Sequence, residues 1–480
     1  MYVKRNDMDN KAFRESAHRF ADWMADYIEQ AEQYPVKAKT APGEIFRLLQ
    51  DDVPVKGEEM EDIFRDFENI ILPGMTHWQS PNFFAYFPAN SSYPSVLAEM
   101  LTATLGAQCM KWETSPAAAE LEEKMMEWLK KICGIPMDFQ GVIQDSASTA
   151  TLVAILCARE KFSGFTVNTE GMQGAGDFRI YCSTETHSSI EKAVRIAGMG
   201  SRNLVKVAVD EQFRLDPAQL QQAIEDDLAS GKKPICVVAT LGTTGVTAID
   251  PLRVIGELCA RYGIWLHVDA AYAGSALILP EYRWMAEGLE MADSFVFNPH
   301  KWLFTNFDCS AYFVRDKGTL LRTLQIVPEY LRTGDAGRVN DYCDWSVPLG
   351  RRFRALKLWF VLRSFGLSGL QEKLRGHLRM AGDLAEIIRQ EKDFEIMAPV
   401  TLNLVCFRYK PEGVEDEGEL NLINEKMLRL INSTGEAYMT HTKINGKYAI
   451  RMVVAQTNVT MEHVIKAWGL VQSSKIKDQS

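Results

Sequence analysis

The stretch Asn298-Pro299-His300-Lys301-Trp302 directly follows the short apolar run Phe295-Val296-Phe297. Upstream, Ile264-Trp265-Leu266-His267-Val268 runs into Asp269-Ala270-Ala271-Tyr272-Ala273-Gly274. Each apolar run has the length of a buried strand, and each ends on residues that can do chemistry. Further strands of this kind are expected at 178–182 and 235–239. Helical patterns at 121–132, 188–197, 217–228 and 251–262 alternate with them. The alternation predicts an α/β fold with a mostly parallel sheet and helices on both faces. Reactive groups in such sheets gather beyond the carboxyl ends of the strands, where Asp269 and Lys301 both fall.

Outside this core the pattern changes. Phe13, Phe20, Trp23, Met24 and Ile28 recur at helical spacing within 12–33, and a second helix is expected at 60–71. These helices suit either packing on another subunit or capping their own chain. Pro73, Pro81, Pro88 and Pro94 exclude one long helix through a segment holding Trp78, Phe83, Phe84, Tyr86, Phe87 and Tyr93. Such aromatics suit a pocket for a flat substrate or a core loop. A polar, Gly-containing break spans 322–350, followed by a long helical region at 351–390. Strands at 400–408 and 448–454, with helices at 417–432 and 460–471, predict a small α+β domain.

The 480 residues are 46% hydrophobic and 24% charged, enough for large cores and unlike a disordered chain. A net charge of −10 argues against nonspecific nucleic-acid binding. The polar start and the lack of an apolar run of spanning length favour a cytoplasmic protein without a membrane partner. The nine cysteines form no C-x-x-C pair, so neither a metal cluster nor a disulfide scaffold is expected.

Lys301 is the first candidate. Burial would disfavour its charged form and make the amine nucleophilic toward an aldehyde, whereas a surface lysine would do nothing. Asp269 could keep a pyridine nitrogen protonated, or simply cap a turn. Ala270, Ala271, Ala273 and Gly274 leave room for a planar ligand or for close packing. Lysine and carboxylate together fit pyridoxal phosphate. Ser146-Ala147-Ser148-Thr149 opens a helical run whose amides and hydroxyls could cradle a phosphate, or form an ordinary cap. Asp145 beside a phosphate is unfavourable unless its side chain turns away. His187 could stack on a cofactor ring or cap the helix behind it. A Thr240–Thr244 hydroxyl could reach a ring oxygen or belong to a turn. His300 could orient substrate, whereas His267 reads as a strand residue. Tyr342, in a polar stretch, could deliver a proton or lie on the surface.

The chain resembles the group II pyridoxal phosphate decarboxylases, nearest to the aromatic-L-amino-acid decarboxylases. The resemblance rests on T-H-W-Q-S-P at 76–81, F-F-A-Y-F-P at 83–88, S-S-Y-P at 91–94, V-I-Q-D-S-A-S at 142–148, A-T-L-G-T-T at 239–244, H-V-D-A-A-Y-A-G at 267–274, N-P-H-K at 298–301 and P-L-G-R-R-F-R at 348–354. It covers nearly the whole chain. It implies a fold-type I enzyme with a central seven-stranded sheet, working as an intertwined homodimer with shared active sites. Its implied parts are an N-terminal dimerisation segment at 1–85, a cofactor domain at 86–365 and a small domain at 366–480. By the family pattern Lys301 forms the Schiff base, Asp269 pairs with the pyridine nitrogen and His187 stacks on the ring. Thr244 lies near the ring hydroxyl. Ala147, Ser148 and Asn298 hold the phosphate, with Ala271 and His300 beside the cofactor. Trp78, Tyr86, Phe87, Pro88, Met110 and His300 match the substrate pocket, and Tyr342 matches the proton donor.

The implied reaction converts an aromatic L-amino acid (tryptophan, tyrosine, phenylalanine or dopa) to its arylalkylamine and CO2. Aromatic aldehyde synthases in the same family couple decarboxylation to oxidative deamination. Phenylalanine at the loop tyrosine, or asparagine at the histidine, accompanies that activity; Tyr342 and His187 here favour the amine. An aminotransferase, or a noncatalytic amino-acid-binding protein on this scaffold, would be a different outcome. The chain departs from the family at Asp145 and Thr149, where glycine and glutamate are common. It also departs at Ala89, commonly threonine, and at Gln108-Cys109-Met110-Lys111-Trp112.

Overall fold

The computed structural model describes residues 8–326 and 338–475. Part of the polar break expected at 322–350, residues 327–337, lies outside them. The chain divides into two compact units: Met1–Pro88 with Glu386–Glu395 and Phe407–Ser480, and Ala89–Ala385 with Ile396–Cys406.

Seven strands form the large sheet: β1 (Gln140–Gln144), β2 (Phe178–Ser183), β3 (Leu204–Val207), β4 (Lys233–Thr240), β5 (Trp265–Asp269), β6 (Ser294–Phe297) and β7 (Ser310–Val314). Their order is β1-β7-β6-β5-β4-β2-β3. Parallel pairing joins β3, β2, β4, β5 and β6, while β7 runs antiparallel to both β6 and β1. The predicted α/β class, fold-type I architecture and mostly parallel seven-stranded sheet are therefore present. β4 and β5 are buried along nearly their whole length, as strands covered on both faces must be.

The helix Ala147–Phe162 lies across the sheet. Its Val153, Ala154 and Cys157 share one core with Val142, Ile180, Val238, Val296 and Val314. Small residues at these positions let backbone approach backbone. Helices Ser189–Ile196, Pro217–Ala229 and Leu252–Tyr262 fill the expected crossovers. Asp216 caps the second of them through bonds from Ala218 and Gln219 amides. The long C-terminal helix, Arg354–Gln390, is interrupted at Gly366, whose φ of 65° no ordinary residue adopts cheaply.

The smaller sheet, ordered β10-β11-β9-β8, uses β8 (Phe394–Ile396), β9 (Leu404–Tyr409), β10 (Thr440–Ile444) and β11 (Lys447–Val453). Helices Glu417–Thr434 and Met461–Ser473 complete the expected α+β pattern. The N-terminal helix spans Asn10–Glu29. The second expected helix is α-helical only over Met60–Asp66, then widens over Phe67–Ile71. Among the described residues no helix is long and apolar enough to cross a membrane. All nine cysteines are buried and unbridged.

Two buried histidines make the fold sensitive to acid, and one buried carboxylate opposes them. His267 lies between Thr151 Oγ1 (3.1 Å) and Ser294 Oγ (2.9 Å), and burial pulls its pKa down to about 4. Burial likewise pulls His300 to about 3. Asp250 accepts the Leu215 and Thr240 amides, yet burial pushes its pKa up to about 6. As pH falls through about 6.5, the unfolded chain protonates both histidines while the folded chain does not. Asp250 offsets part of this loss, because the folded chain takes its proton first. Two histidines against one carboxylate leave a net loss of stability between pH 6.5 and 4. The urea midpoint is expected to fall across that window, less steeply in His267→Gln; a midpoint constant or rising toward acid contradicts this assignment.

Candidate functional site

The carboxyl ends of β1, β2, β4, β5 and β6 lie on one edge of the large sheet, because only β7 runs the other way. At or just beyond these ends stand Ser146, His187, Thr244, Asp269 and Lys301. Asp269 is the last residue of β5, buried, with Oδ1 accepting the Ala271 amide at 3.0 Å. That bond holds one oxygen and leaves the other for a ligand. Ala271 in turn accepts the Asn298 amide at 3.0 Å, tying the end of β5 to the end of β6.

Lys301 sits in the single turn Pro299–Trp302, opened by Asn298 and a proline suited to a first helical position. Two further bonds fix its backbone: its amide donates to the Asn298 carbonyl (2.9 Å), and Asn90 Nδ2 donates to its own carbonyl (2.7 Å). Desolvation lowers the Lys301 pKa, and the Asp269 charge opposes that shift. The result is an amine with a larger neutral fraction than a surface lysine.

His187 lies between β2 and the helix Ser189–Ile196. The Ser189 amide donates to its Nδ1 at 3.2 Å, and the Ser189 hydroxyl lies 2.8 Å from the same nitrogen. A nitrogen that accepts an amide proton carries a lone pair, so the neutral ring has its proton on Nε2. Desolvation lowers the His187 pKa; Asp269 opposes this and Lys301 adds to it. The three residues are thus within electrostatic reach of one another, although 82 positions separate His187 from Asp269 in the sequence (269 minus 187).

At the start of the helix Ala147–Phe162, Ser146 caps the Thr149 amide at 3.2 Å. Ala147 is half-buried and Ser148 exposed, and their amides are the first two of the helix, ahead of the capped Thr149 amide. Asp145 is half-buried, and its Oδ1 accepts from the Ser146 hydroxyl at 3.3 Å. Its charge acts on Arg354, which makes a two-pronged pair with Asp308 at 3.0 Å on each arm. Asn298 is buried, with Oδ1 fixed by the Ser310 hydroxyl at 2.7 Å. His300 is buried with Nδ1 accepting the Cys309 amide, and its ring lies 4.8 Å from Phe307. Thr244 is exposed in the turn after β4. That turn needs Gly242: its φ is +84°, and a Cβ there would lie 2.7 Å from Ala273 Cβ.

Tyr342 is not in a loose surface stretch. It opens a short turn of 3-10 helix, Tyr342–Trp345, and is 2% exposed within the core that contains Trp345 and Val142. The Arg351 guanidinium lies 5.1 Å from its ring and pairs with Glu122 at 2.7 and 3.1 Å. Burial pushes the Tyr342 phenol well above its ordinary pKa. Met110 is half-buried, and its carbonyl accepts the Cys343 amide at 2.9 Å.

The aromatic segment belongs to the other unit. There Trp78 stacks on Tyr86 at 5.8 Å and packs against Phe83, tilted, at 4.5 Å. The Tyr86 hydroxyl meets that of Tyr438 at 3.1 Å. Trp78 and Tyr86 keep 38% and 47% of their surface exposed, so their faces remain usable; Phe87 is half-buried and Pro88 buried. Arg451, buried, lies over Phe87 at 5.4 Å and donates to Thr440 Oγ1 at 2.8 Å. Sequence reading missed Arg451, Asn90, Ser189 and Ser310. Asn90, polar within an aromatic and proline-rich segment, was the one with a local signal.

Comparison with known proteins gives this geometry a family. Residues 42–410 match the pyridoxal-dependent decarboxylase conserved domain. The chain is 41% identical to tyrosine decarboxylase 3 of Petroselinum crispum, covering 97% of this chain and 92% of that one. It is 42% identical to a phenylacetaldehyde synthase of Arabidopsis thaliana, covering 97% and 96%. The crystal structure of Catharanthus roseus tryptophan decarboxylase in complex with L-tryptophan superposes with a TM-score of 0.92 at 38% identity, covering 98% of this chain and 99% of that one. The chain therefore belongs to the pyridoxal-dependent decarboxylase family.

Proposed function

We propose that this chain decarboxylates an aromatic L-amino acid to its arylalkylamine and CO2. The observation that carries the reading is the placement of Lys301, Asp269 and His187 at the carboxyl ends of β6, β5 and β2, on one edge of the sheet and within electrostatic reach of one another. The donor set fits pyridoxal phosphate: a desolvated amine, a buried carboxylate with one free oxygen, a neutral imidazole and a row of helix-start amides. Beside Asp269 in the register, Thr240 Oγ1 is buried with no hydrogen-bond partner among the described residues.

When bound, pyridoxal phosphate supplies an aldehyde for the substrate amine and a conjugated ring that takes up the electron pair left as CO2 departs. Lys301 would hold the aldehyde, and its desolvated amine would exchange with the substrate amine. Asp269 would hold a ring N–H, with its geometry fixed by the Ala271 amide. His187 offers its Nε2 proton and a flat face. Ala147 and Ser148 would take the phosphate on their amides, beside the immobilised Asn298 side chain. Thr244, Ala271 and His300 are proposed to complete the cofactor's surroundings. Tyr342 would be the proton donor to the substrate carbon. An aromatic side chain is what the exposed faces of Trp78 and Tyr86 suit, and relatives named for tyrosine and tryptophan support the same class.

A second reading, aromatic aldehyde formation, draws support from the deep burial of Tyr342 and from phenylacetaldehyde synthases among the relatives. We infer also that two copies of the chain pair. Tyr93, Leu97, Leu101 and Leu105 fall at four-residue spacing on the helix Tyr93–Leu105, and each keeps about half its surface in solvent. An apolar stripe of this kind suits a buried interface.

Incubating the pyridoxal phosphate-loaded protein with tyrosine, tryptophan, phenylalanine and dopa, CO2, amine, aldehyde and peroxide should be measured together. Amine equal to CO2 without peroxide is expected; aldehyde and peroxide equal to CO2 would select the second reading. Neutralising Asp145 removes a like charge from beside the phosphate. Asp145→Asn is expected to tighten pyridoxal phosphate binding roughly five-fold, about 1 kcal/mol, in equilibrium dialysis; unchanged or weaker binding would remove Asp145 from the phosphate's field. Leu97→Glu with Leu101→Glu is expected to convert a dimer to monomer in sedimentation, and a wild-type protein that sediments as a monomer refutes the pairing.

A further inference from the structure

Lys301 sits in a helix of four residues, Pro299–Trp302. A single turn has almost no stability of its own, because its first bond must fix several torsions at once. Its shape has to come from what holds it, and one anchor is the next side chain. Trp302 is fully buried. Its indole lies face to face on Tyr272, with ring centres 5.1 Å apart and planes 6° from parallel. Tyr272 belongs to the turn that begins at Asp269. The stack therefore joins the turn of the lysine to the turn of the carboxylate. Gly274 lets the two approach closely, because a Cβ there would run into Phe297, the residue before Asn298.

Both rings are locked at a polar atom. Trp302 Nε1 donates to His377 Nδ1 at 2.9 Å, and Asn403 Nδ2 donates to the Tyr272 hydroxyl at 2.6 Å. All four residues lie in the unit Ala89–Ala385 with Ile396–Cys406, and none is more than 3% exposed. An indole nitrogen can only donate, so His377 Nδ1 carries a lone pair and the ring is neutral with its proton on Nε2. In a wholly apolar pocket an indole could turn over and keep its burial. Here the other orientation would leave the buried indole N–H without that acceptor, which is costly. The His377 bond thus selects one orientation of Trp302, the one stacked on Tyr272. His377 comes from the helix Arg354–Gln390. The chemistry assigned to Lys301, Asp269 and His187 makes no use of this histidine.

We propose that His377 is a positioning residue for the cofactor lysine: by accepting the Trp302 indole proton it holds the Trp302–Tyr272 stack, and with it the spacing of Lys301 from Asp269. The inference rests on the reading of Lys301 as the residue that carries the cofactor. His377 acts through Trp302 and is not itself catalytic. Removing its acceptor loosens the turn and lets water reach the Lys301 amine. Desolvation is the largest influence on that amine, so water raises its pKa toward the ordinary lysine value and delays its deprotonation to higher pH. Asparagine at 377 carries an acceptor oxygen at the same remove from the backbone as Nδ1, while leucine fills the space without one.

The test uses full-length protein: wild type, His377→Asn, His377→Leu, Trp302→Phe and the double variant Trp302→Phe with His377→Leu. Each is stripped of cofactor, and pyridoxal phosphate is then added back at a series of pH values. The rate at which the visible band of lysine-bound cofactor grows has a midpoint that follows deprotonation of Lys301. Values of kcat and KM for CO2 release from an aromatic L-amino acid are measured on the reloaded protein. His377→Leu is expected to move the midpoint up by about half a unit or more, and to lower kcat roughly five-fold with KM unchanged. His377→Asn should restore both to wild-type values. Trp302→Phe keeps a stacking ring and loses the N–H. It should reproduce the shift, and adding His377→Leu to it should change nothing further. A histidine that only stabilised its helix would lower the melting temperature and leave the midpoint in place. If His377→Leu folds poorly, Trp302→Phe against His377→Asn makes the same comparison. An unmoved midpoint in Trp302→Phe and His377→Leu, a full shift in His377→Asn, or independent effects in the double variant overturns the proposal. Borohydride reduction of each reloaded protein separates the two readings. A pyridoxyl label at another lysine ends the reading of Lys301 and this inference with it. A label at Lys301 with an unmoved midpoint ends only the assignment of His377.

Discussion

An amine deprived of water, beside one carboxylate, is the constraint on which the site depends. Lys301 is half-buried, desolvation lowers its pKa, and the Asp269 charge partly compensates. Neither position is free to drift. The Asp269 carboxylate is pinned by Ala271, Ala271 is bonded to Asn298, and the Lys301 carbonyl is held by Asn90. The sheet makes this possible, since parallel strands put their carboxyl ends on one edge and the helix Ala147–Phe162 keeps the strands buried.

His187 extends the same logic. Its pKa falls because burial disfavours the imidazolium more than Asp269 favours it, and Lys301 adds a smaller repulsion. With Nδ1 engaged by Ser189, the ring stays neutral and keeps one orientation. A charged imidazole beside Lys301 would raise the cost of the lysine's own charge. The Asp269 charge therefore acts on both Lys301 and His187, and the Lys301 charge acts on His187.

Much of the large sheet was legible because its strands are short apolar runs between amphipathic helices. β4, β5 and β6 and the helices between them lie within a few residues of their expected places. β1 was missed because its apolar core is only Val142-Ile143, β3 because it is a short edge strand with Lys206 in it, and β7 because its apolar run follows an irregular segment rather than a helix. Lys301, Asp269 and His187 were visible because each follows a strand. Contacts between residues far apart in sequence left no local signature. Glu122 with Arg351 and Lys111 with Asp341 are 229 and 230 positions apart. For the same reason the polar sequence around Tyr342 suggested a loose loop, whereas its partners lie in segments that sequence periodicity does not connect. The N-terminal helices and the aromatic segment were legible as elements, but their alternatives of core or pocket needed the exposed faces of Trp78 and Tyr86 to weigh them.

The central claim is that Lys301 is the desolvated amine that carries the cofactor. Borohydride reduction of the pyridoxal phosphate-loaded protein, followed by peptide mass mapping, tests it most directly. The account predicts a single pyridoxyl-modified residue, Lys301, and loss of that modification in Lys301→Ala. Modification at a different lysine, or none in fully loaded protein, would contradict it.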